Sequence, residues 1–119
     1  MSKKVLIVDD SMYMRKLIRE ALEKEGHEIV GEAENGEIAI DLALSLTPEL
    51  ITLDNILPDM IGLDILKVIK EEGLTCRIIM ISAVGQQSVI NEGLSLGASD
   101  YIIKPFTSEK LLEVVNKVI

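Results

Sequence analysis

The chain has 119 residues, enough for one domain with a real hydrophobic core and too few for a second. Its 48% hydrophobic and 27% charged residues exclude a disordered chain, and a net charge of −8 without a run of Lys or Arg argues against nucleic-acid binding. A single cysteine, Cys76, rules out an internal disulfide, and the lone histidine, His27, in a turn after Gly26, gives no basis for a metal or general-base role.

Strand-like apolar runs begin near Val5, Glu28, Leu50, Arg77 and Asp100, a spacing of about 22–27 residues that matches a strand, a helix and two loops. The runs are strand-sized rather than membrane-spanning, and Met1-Ser2-Lys3-Lys4 leads directly into the first. The expectation is a cytoplasmic protein with neither signal peptide nor membrane span.

In chain order, Val5-Leu6-Ile7-Val8 is continuously apolar, as a strand covered on both faces should be, and stops at Asp9-Asp10. Met14, Leu17, Ile18, Ala21 and Leu22 then follow a helical stripe that Gly26 ends. The more mixed Glu28–Ala33 run suits an edge strand, and a helix is predicted over 36–46. Leu50–Leu53 reads as a central strand stopping at Asp54, and a helix over 62–72 follows, with Gly73 beyond its end. Cys76 enters the next strand as a partly buried residue; Ile78–Ile81 continues it to Ser82-Ala83, and a helix over 86–96 is closed by Gly97. The last strand, from Asp100, ends at Lys104-Pro105, and Thr107 or Ser108 caps a helix to 118. Five alternating strand–helix units predict an α/β fold with a parallel sheet and right-handed crossovers.

Asp9-Asp10, Asp54, Ser82-Ala83 and Lys104-Pro105 each stand where an apolar run gives way to a polar segment. In an open parallel sheet all four would share the carboxyl edge, where such folds bind ligands. An Asp pair, a Ser or a Lys-Pro at a strand end is individually common as turn chemistry, but four at one edge form a constellation. Three carboxylates together repel one another and invite a hard cation such as Mg²⁺, with a main-chain carbonyl of the Asn55-Ile56-Leu57 loop as a further donor. An amine opposite that cation suits a phosphoryl group, which a carboxylate oxygen of Asp54 could accept by in-line attack.

These residues carry a resemblance. Val5-Leu6-Ile7-Val8-Asp9-Asp10-Ser11, Asp54 with Leu57-Pro58-Asp59-Met60-Ile61-Gly62, Ser82-Ala83, Gly97-Ala98-Ser99-Asp100-Tyr101 and Lys104-Pro105-Phe106 together resemble the response-regulator receiver domains of two-component signalling, the stand-alone chemotaxis members above all. The likeness spans the whole of 1–119 as a single receiver domain. It implies a doubly wound, flavodoxin-like (βα)5 fold with sheet order 2-1-3-4-5, an order that strand pattern alone does not supply. It further implies that Asp54 is the phosphoacceptor and that Asp10, Asp54 and the backbone carbonyl of Ile56 bind Mg²⁺ directly, with Asp9 acting through metal-bound water. Ser82 and Lys104 would hold the phosphoryl oxygens, Ala83 would leave room for them, and the Lys104-Pro105 bond would be cis.

Tyr101 matches the aromatic switch that turns inward with Ser82, through a hinge at 82–87 with Gly85 as its permissive residue. The switch would reshape the face made by the fourth helix, fifth strand and fifth helix. Apolar Ile56 and Val84, two residues beyond Asp54 and Ser82, predict slow self-dephosphorylation, because neither can orient an attacking water. The implied partners are a sensor histidine kinase, a flagellar or archaellar motor component or other downstream protein, and a phosphatase; the protein would be a monomer that catalyses only its own modification. With no output domain after Val118-Ile119, the signal would leave by protein binding. A receiver fragment or a relay protein of another pathway fits the same motifs. A Mg²⁺-dependent phosphatase or phosphotransferase fits less well, since Ile56 stands where its second acid would be and no cap has room to form.

Overall fold

Alternating apolar strands and amphipathic helices produce, in the computed structural model, a five-stranded parallel sheet with helices on both faces; the structure describes residues 2–83 and 85–119. The strands are β1 (Lys4–Val8), β2 (Glu28–Ala33), β3 (Leu50–Asp54), β4 (Arg77–Ala83) and β5 (Asp100–Lys104). The helices are α1 (Met12–Lys24), α2 (Gly36–Leu46), α3 (Gly62–Glu71), α4 (Gln87–Ser95) and α5 (Ser108–Val118). The sheet order is β2-β1-β3-β4-β5, as the resemblance implied, and the mixed strand β2 lies at an edge.

Side chains alternate across the strands, so each interior strand feeds two cores. Val5, Ile7, Leu50, Ile79 and Ile81 pack with Ile18 and Leu22 of α1 and Leu111 and Val115 of α5. Leu6, Val8, Ile51, Leu53, Ile78 and Met80 pack on the other face against Ala39 and Ala43 of α2 and Leu63 and Leu66 of α3. Each fully buried Leu or Ile stabilises the fold by about 1.5–3 kcal/mol.

Helix boundaries follow local chemistry. The Met14, Ile38 and Lys110 amides donate to the side-chain oxygens of Ser11, Asn35 and Thr107, which cap α1, α2 and α5. Gly26, Gly73 and Gly97 follow the C-caps of α1, α3 and α4 with positive φ. Helix α2 ends differently, on Thr47 at φ 42° before Pro48. The predicted segment 62–72 loses its last residue and 86–96 one at each end, α5 starts at Ser108 after the Thr107 cap, and Cys76, expected to be partly buried, is buried.

Parallel register then places the site. Val8 pairs with Leu53, Asp54 with Ile81 and Ala83 with Lys104, so one step along the sheet edge reaches every strand end that carries a polar group.

Candidate functional site

Asp9 leaves β1 at the carboxyl edge and is held from three sides by its own surroundings. Its N–H donates to the Ala33 carbonyl of β2 (3.0 Å), and its Oδ1 accepts from the Ser11 amide that opens α1 (2.9 Å). Its main-chain carbonyl accepts from Arg15 Nη1 (2.7 Å). Asp54, the last residue of β3, stands beside it, and Asp10 follows on the exposed side. From the end of β5, Lys104 donates to Asp9 Oδ2 (3.2 Å) and to Asp54 Oδ1 (3.3 Å). The Lys104-Pro105 bond is cis.

The electrostatics are those of like charges forced together. Burial, then the Asp9 carboxylate, push the Asp54 pKa up to about 6 against the pull of Lys104. Burial by itself would lower the Lys104 pKa, but the Asp54 and Asp9 carboxylates outweigh it and hold the amine above its ordinary value. Asp9, Asp10 and Asp54 each offer one carboxylate oxygen within 4.8 Å of the others. An all-oxygen set of this size, with one exposed member and an acid destabilised by its neighbours, fits a small hard divalent cation that keeps several waters. The residues present therefore suit Mg²⁺.

The remaining predicted residues surround this cluster. Ser82 is buried one position before the end of β4, and its hydroxyl has no hydrogen-bond partner among the described residues. Tyr101 is half-buried on β5 against the α2/α3-side core, in register with Met80, two residues before Ser82. The Ile56 side chain is 56% exposed at the rim, and its backbone bridges to Ile61 in the loop after β3. Gly85 has φ +93°, while the expectation for Val84 lies outside the described residues.

Three contributions escaped the sequence. Asp59, in the loop that carries Ile56, accepts from the Gly36 and Glu37 amides at 2.7 and 3.0 Å, capping α2 from another part of the chain. These backbone donors hold the Asp59 carboxyl below its usual range. Gly62 donates its N–H to the Asn55 carbonyl (2.6 Å), and a Cβ there would sit 2.8 Å from the Asp54 main-chain oxygen. Arg15, on α1, bonds the Asp9 carbonyl, a contact that no sequence period marks. Beside the crevice, a groove of about 860 Å³ runs between β5 and α5, lined by Tyr101, Ile103, Phe106, Lys110 and Lys117 among others.

Comparison with known proteins gives the same picture. The response regulator receiver domain family matches residues 5–116. The chain is 44% identical to the chemotaxis protein CheY of Bacillus subtilis over 98% of both chains. It is 41% identical to the CheY of Thermotoga maritima over 99% of this chain and 98% of that one. Among solved structures it resembles the response regulator domain of Thermotoga maritima CheB (TM-score 0.89, 31% identity, covering 99% of this chain and 96% of that one). It also resembles a chain of the CheX–CheY–BeF3–Mg²⁺ complex of Borrelia burgdorferi (TM-score 0.92, 35% identity, 97% and 87% covered). A buried carboxylate at the end of the central strand, ringed by acids and an amine in a sheet of this order, together with these matches, shows that the chain belongs to the response-regulator receiver domain family, the phosphoaccepting switches of two-component signalling.

Proposed function

We propose that residues 1–119 form one receiver domain that accepts a phosphoryl group on Asp54 from a phosphohistidine of a sensor kinase and then binds a downstream protein in chemotaxis or motility control. The observation that carries the reading is Lys104 Nζ at 3.3 Å from Asp54 Oδ1 and 3.2 Å from Asp9 Oδ2, beside the three-carboxylate cluster. A carboxylate oxygen of Asp54 attacks phosphorus in line, the bond from phosphorus to the donor nitrogen breaks, and the imidazole departs. The Lys104 ammonium, already poised between the two acids, moves its hydrogen bonds to a phosphoryl oxygen. The unpartnered Ser82 hydroxyl supplies a second donor. Mg²⁺, held by Asp10, Asp54 and the Ile56 carbonyl with Asp9 behind a water, would neutralise charge that accumulates on the phosphoryl oxygens.

Phosphorylation adds about −1.5 to −2 charge to a crevice where burial already disfavours one carboxylate. Withdrawal of the Ser82 hydroxyl toward the new oxygens frees space on its face of the sheet, and Tyr101 on the neighbouring strand follows. The groove between β5 and α5 changes with it, which makes that face the place for a flagellar or archaellar motor component. A phosphatase and a monomeric, cytoplasmic state complete the reading. The domain catalyses its own phosphorylation and dephosphorylation and no other turnover.

The test is intact mass after incubation with Mg²⁺ and a small acyl-phosphate donor. The expected result is a gain of one phosphate that disappears in Asp54→Asn and with a chelator. Mass gain in Asp54→Asn, or none in the native chain under conditions where Mg²⁺ binds, overturns it.

A further inference from the structure

Asp10 is the exposed member of the acidic cluster, and no ion pair or hydrogen bond among the described residues holds its carboxylate. Its direction is therefore set by the peptide that joins it to Asp9. The oxygen of that peptide is the Asp9 carbonyl, and Arg15 Nη1 donates to it at 2.7 Å. Arg15 is itself fixed, with Nε donating to Glu32 Oε1 of β2 at 3.0 Å and its side chain only 13% exposed. Glu32 is steadied in turn by Arg19, whose Nε donates to its other oxygen at 2.7 Å, and Arg19 also bonds Glu23 one turn further along α1. Arg15 and Glu32 thus brace one peptide plane from the first helix and the edge strand, while Arg19 and Glu23 lie beyond the brace and bond Glu32 and each other rather than Arg15.

We infer that Arg15 is a positioning residue for the cation site: by locking the Asp9–Asp10 peptide against Glu32 it holds the Asp10 carboxylate where a divalent ion can use it. The inference rests on the reading of the acidic crevice as a Mg²⁺ site. Two physical effects of Arg15 have opposite signs, which makes the role separable. As a positive charge near the cluster, Arg15 repels a cation, so charge alone predicts tighter binding when it is removed. As a brace, its removal releases the peptide and weakens binding. Glu32 shares the guanidinium charge with Arg15, which favours the brace over the charge. The planar fork is what spans a main-chain carbonyl and a carboxylate at once, a task lysine cannot repeat.

The experiment is calorimetric titration of Mg²⁺ into the native chain, Arg15→Met, Arg15→Lys, Glu32→Gln and Arg19→Met, with circular dichroism of each metal-free protein to show that it is folded. Arg15→Met is expected to bind Mg²⁺ about tenfold more weakly despite losing a positive charge. Arg15→Lys should fail to restore binding, and Glu32→Gln should weaken it by a smaller factor. Arg19→Met removes a cation from the same glutamate without touching Asp9, and should leave affinity within about twofold of native. Equal or tighter binding in Arg15→Met, or full rescue by Arg15→Lys, overturns the inference while leaving the site in place. If Arg15→Met does not fold, unchanged affinity in the milder Glu32→Gln overturns it. No Mg²⁺ binding by the native chain overturns both the site and the brace.

Discussion

Lys104 Nζ lies 3.3 Å from Asp54 Oδ1 although an entire strand, β4, separates the two strands that carry them. The amine crosses above Ser82 and Ala83 at the end of β4, and the small side chains there leave the crossing open. On the proposed function, a phosphoryl group entering between Asp54 and Lys104 would replace a carboxylate–ammonium contact with a phosphoryl–ammonium one.

The raised Asp54 pKa has a consequence for stability in metal-free protein. Its native value of about 6 exceeds the ordinary 3.8, so the native state binds the extra proton between those values. Stability contributed by this group is then greatest below about pH 4 and falls as pH rises towards 6, by about 2–3 kcal/mol. Asp54→Asn should remove that slope and be more stable than the native chain at pH 7.5 with chelator present. Urea unfolding at several pH values measures it, and a native chain with no slope relative to Asp54→Asn would contradict the assignment.

His27 should produce the opposite slope. Burial above all, with the Lys3 ammonium adding to it, lowers its pKa below the ordinary 6.5, and its Nδ1 accepts from the Lys3 amide at 3.1 Å. Protonation would remove that acceptor. The stability from neutral His27 is present above about pH 6.5 and lost as pH falls through the lower native value. His27→Gln should abolish this part of the acid sensitivity, seen as convergence of native and variant unfolding midpoints as pH is lowered from about 6.5.

Gly62 touches the site through backbone rather than side chain. An alanine Cβ would stand 2.8 Å from the Asp54 oxygen and 3.0 Å from Asn55 Cα, neither of which is a flexible end. Gly62→Ala should cost about 1–3 kcal/mol and weaken Mg²⁺ binding as the end of β3 shifts. Calorimetry alongside thermal unfolding would show whether the two losses occur together.

Ile56 projects at the rim of the crevice without a polar atom. Replacing it with asparagine should speed loss of the phosphoryl group by about three- to tenfold by giving a water something to orient on. Decay followed by mass after removing the donor tests this, and an unchanged rate would sink the idea.

The strands and helices were legible because β1, β3 and β4 are continuously apolar and the α1 stripe has helical period. Gly26, Gly73 and Gly97 marked their helix ends through positive φ, whereas Thr47 ended α2 with no glycine to announce it. Strand order came from resemblance, since local pattern does not say which strand neighbours which. Asp54, Asp9 and Lys104 were legible as strand-end polar residues. The Asp59 cap on α2 and the Arg15–Glu32 brace were not, because they join positions 22 or 23 and 17 residues apart with no shared period. Such pairings exist only once the sheet has brought its loops together.

That dependence has a direction in time. The acidic residues Asp9, Asp10 and Asp54 are made first, and the amine that reconciles two of them comes 95 residues after Asp9 and 50 after Asp54. A growing chain emerging from the ribosome thus cannot place the Lys104 ammonium between Asp9 and Asp54 until β5 is synthesised and docks at the far edge. On the proposed function, an unfinished or unravelled copy would lack the assembled crevice and should not take up a phosphoryl group.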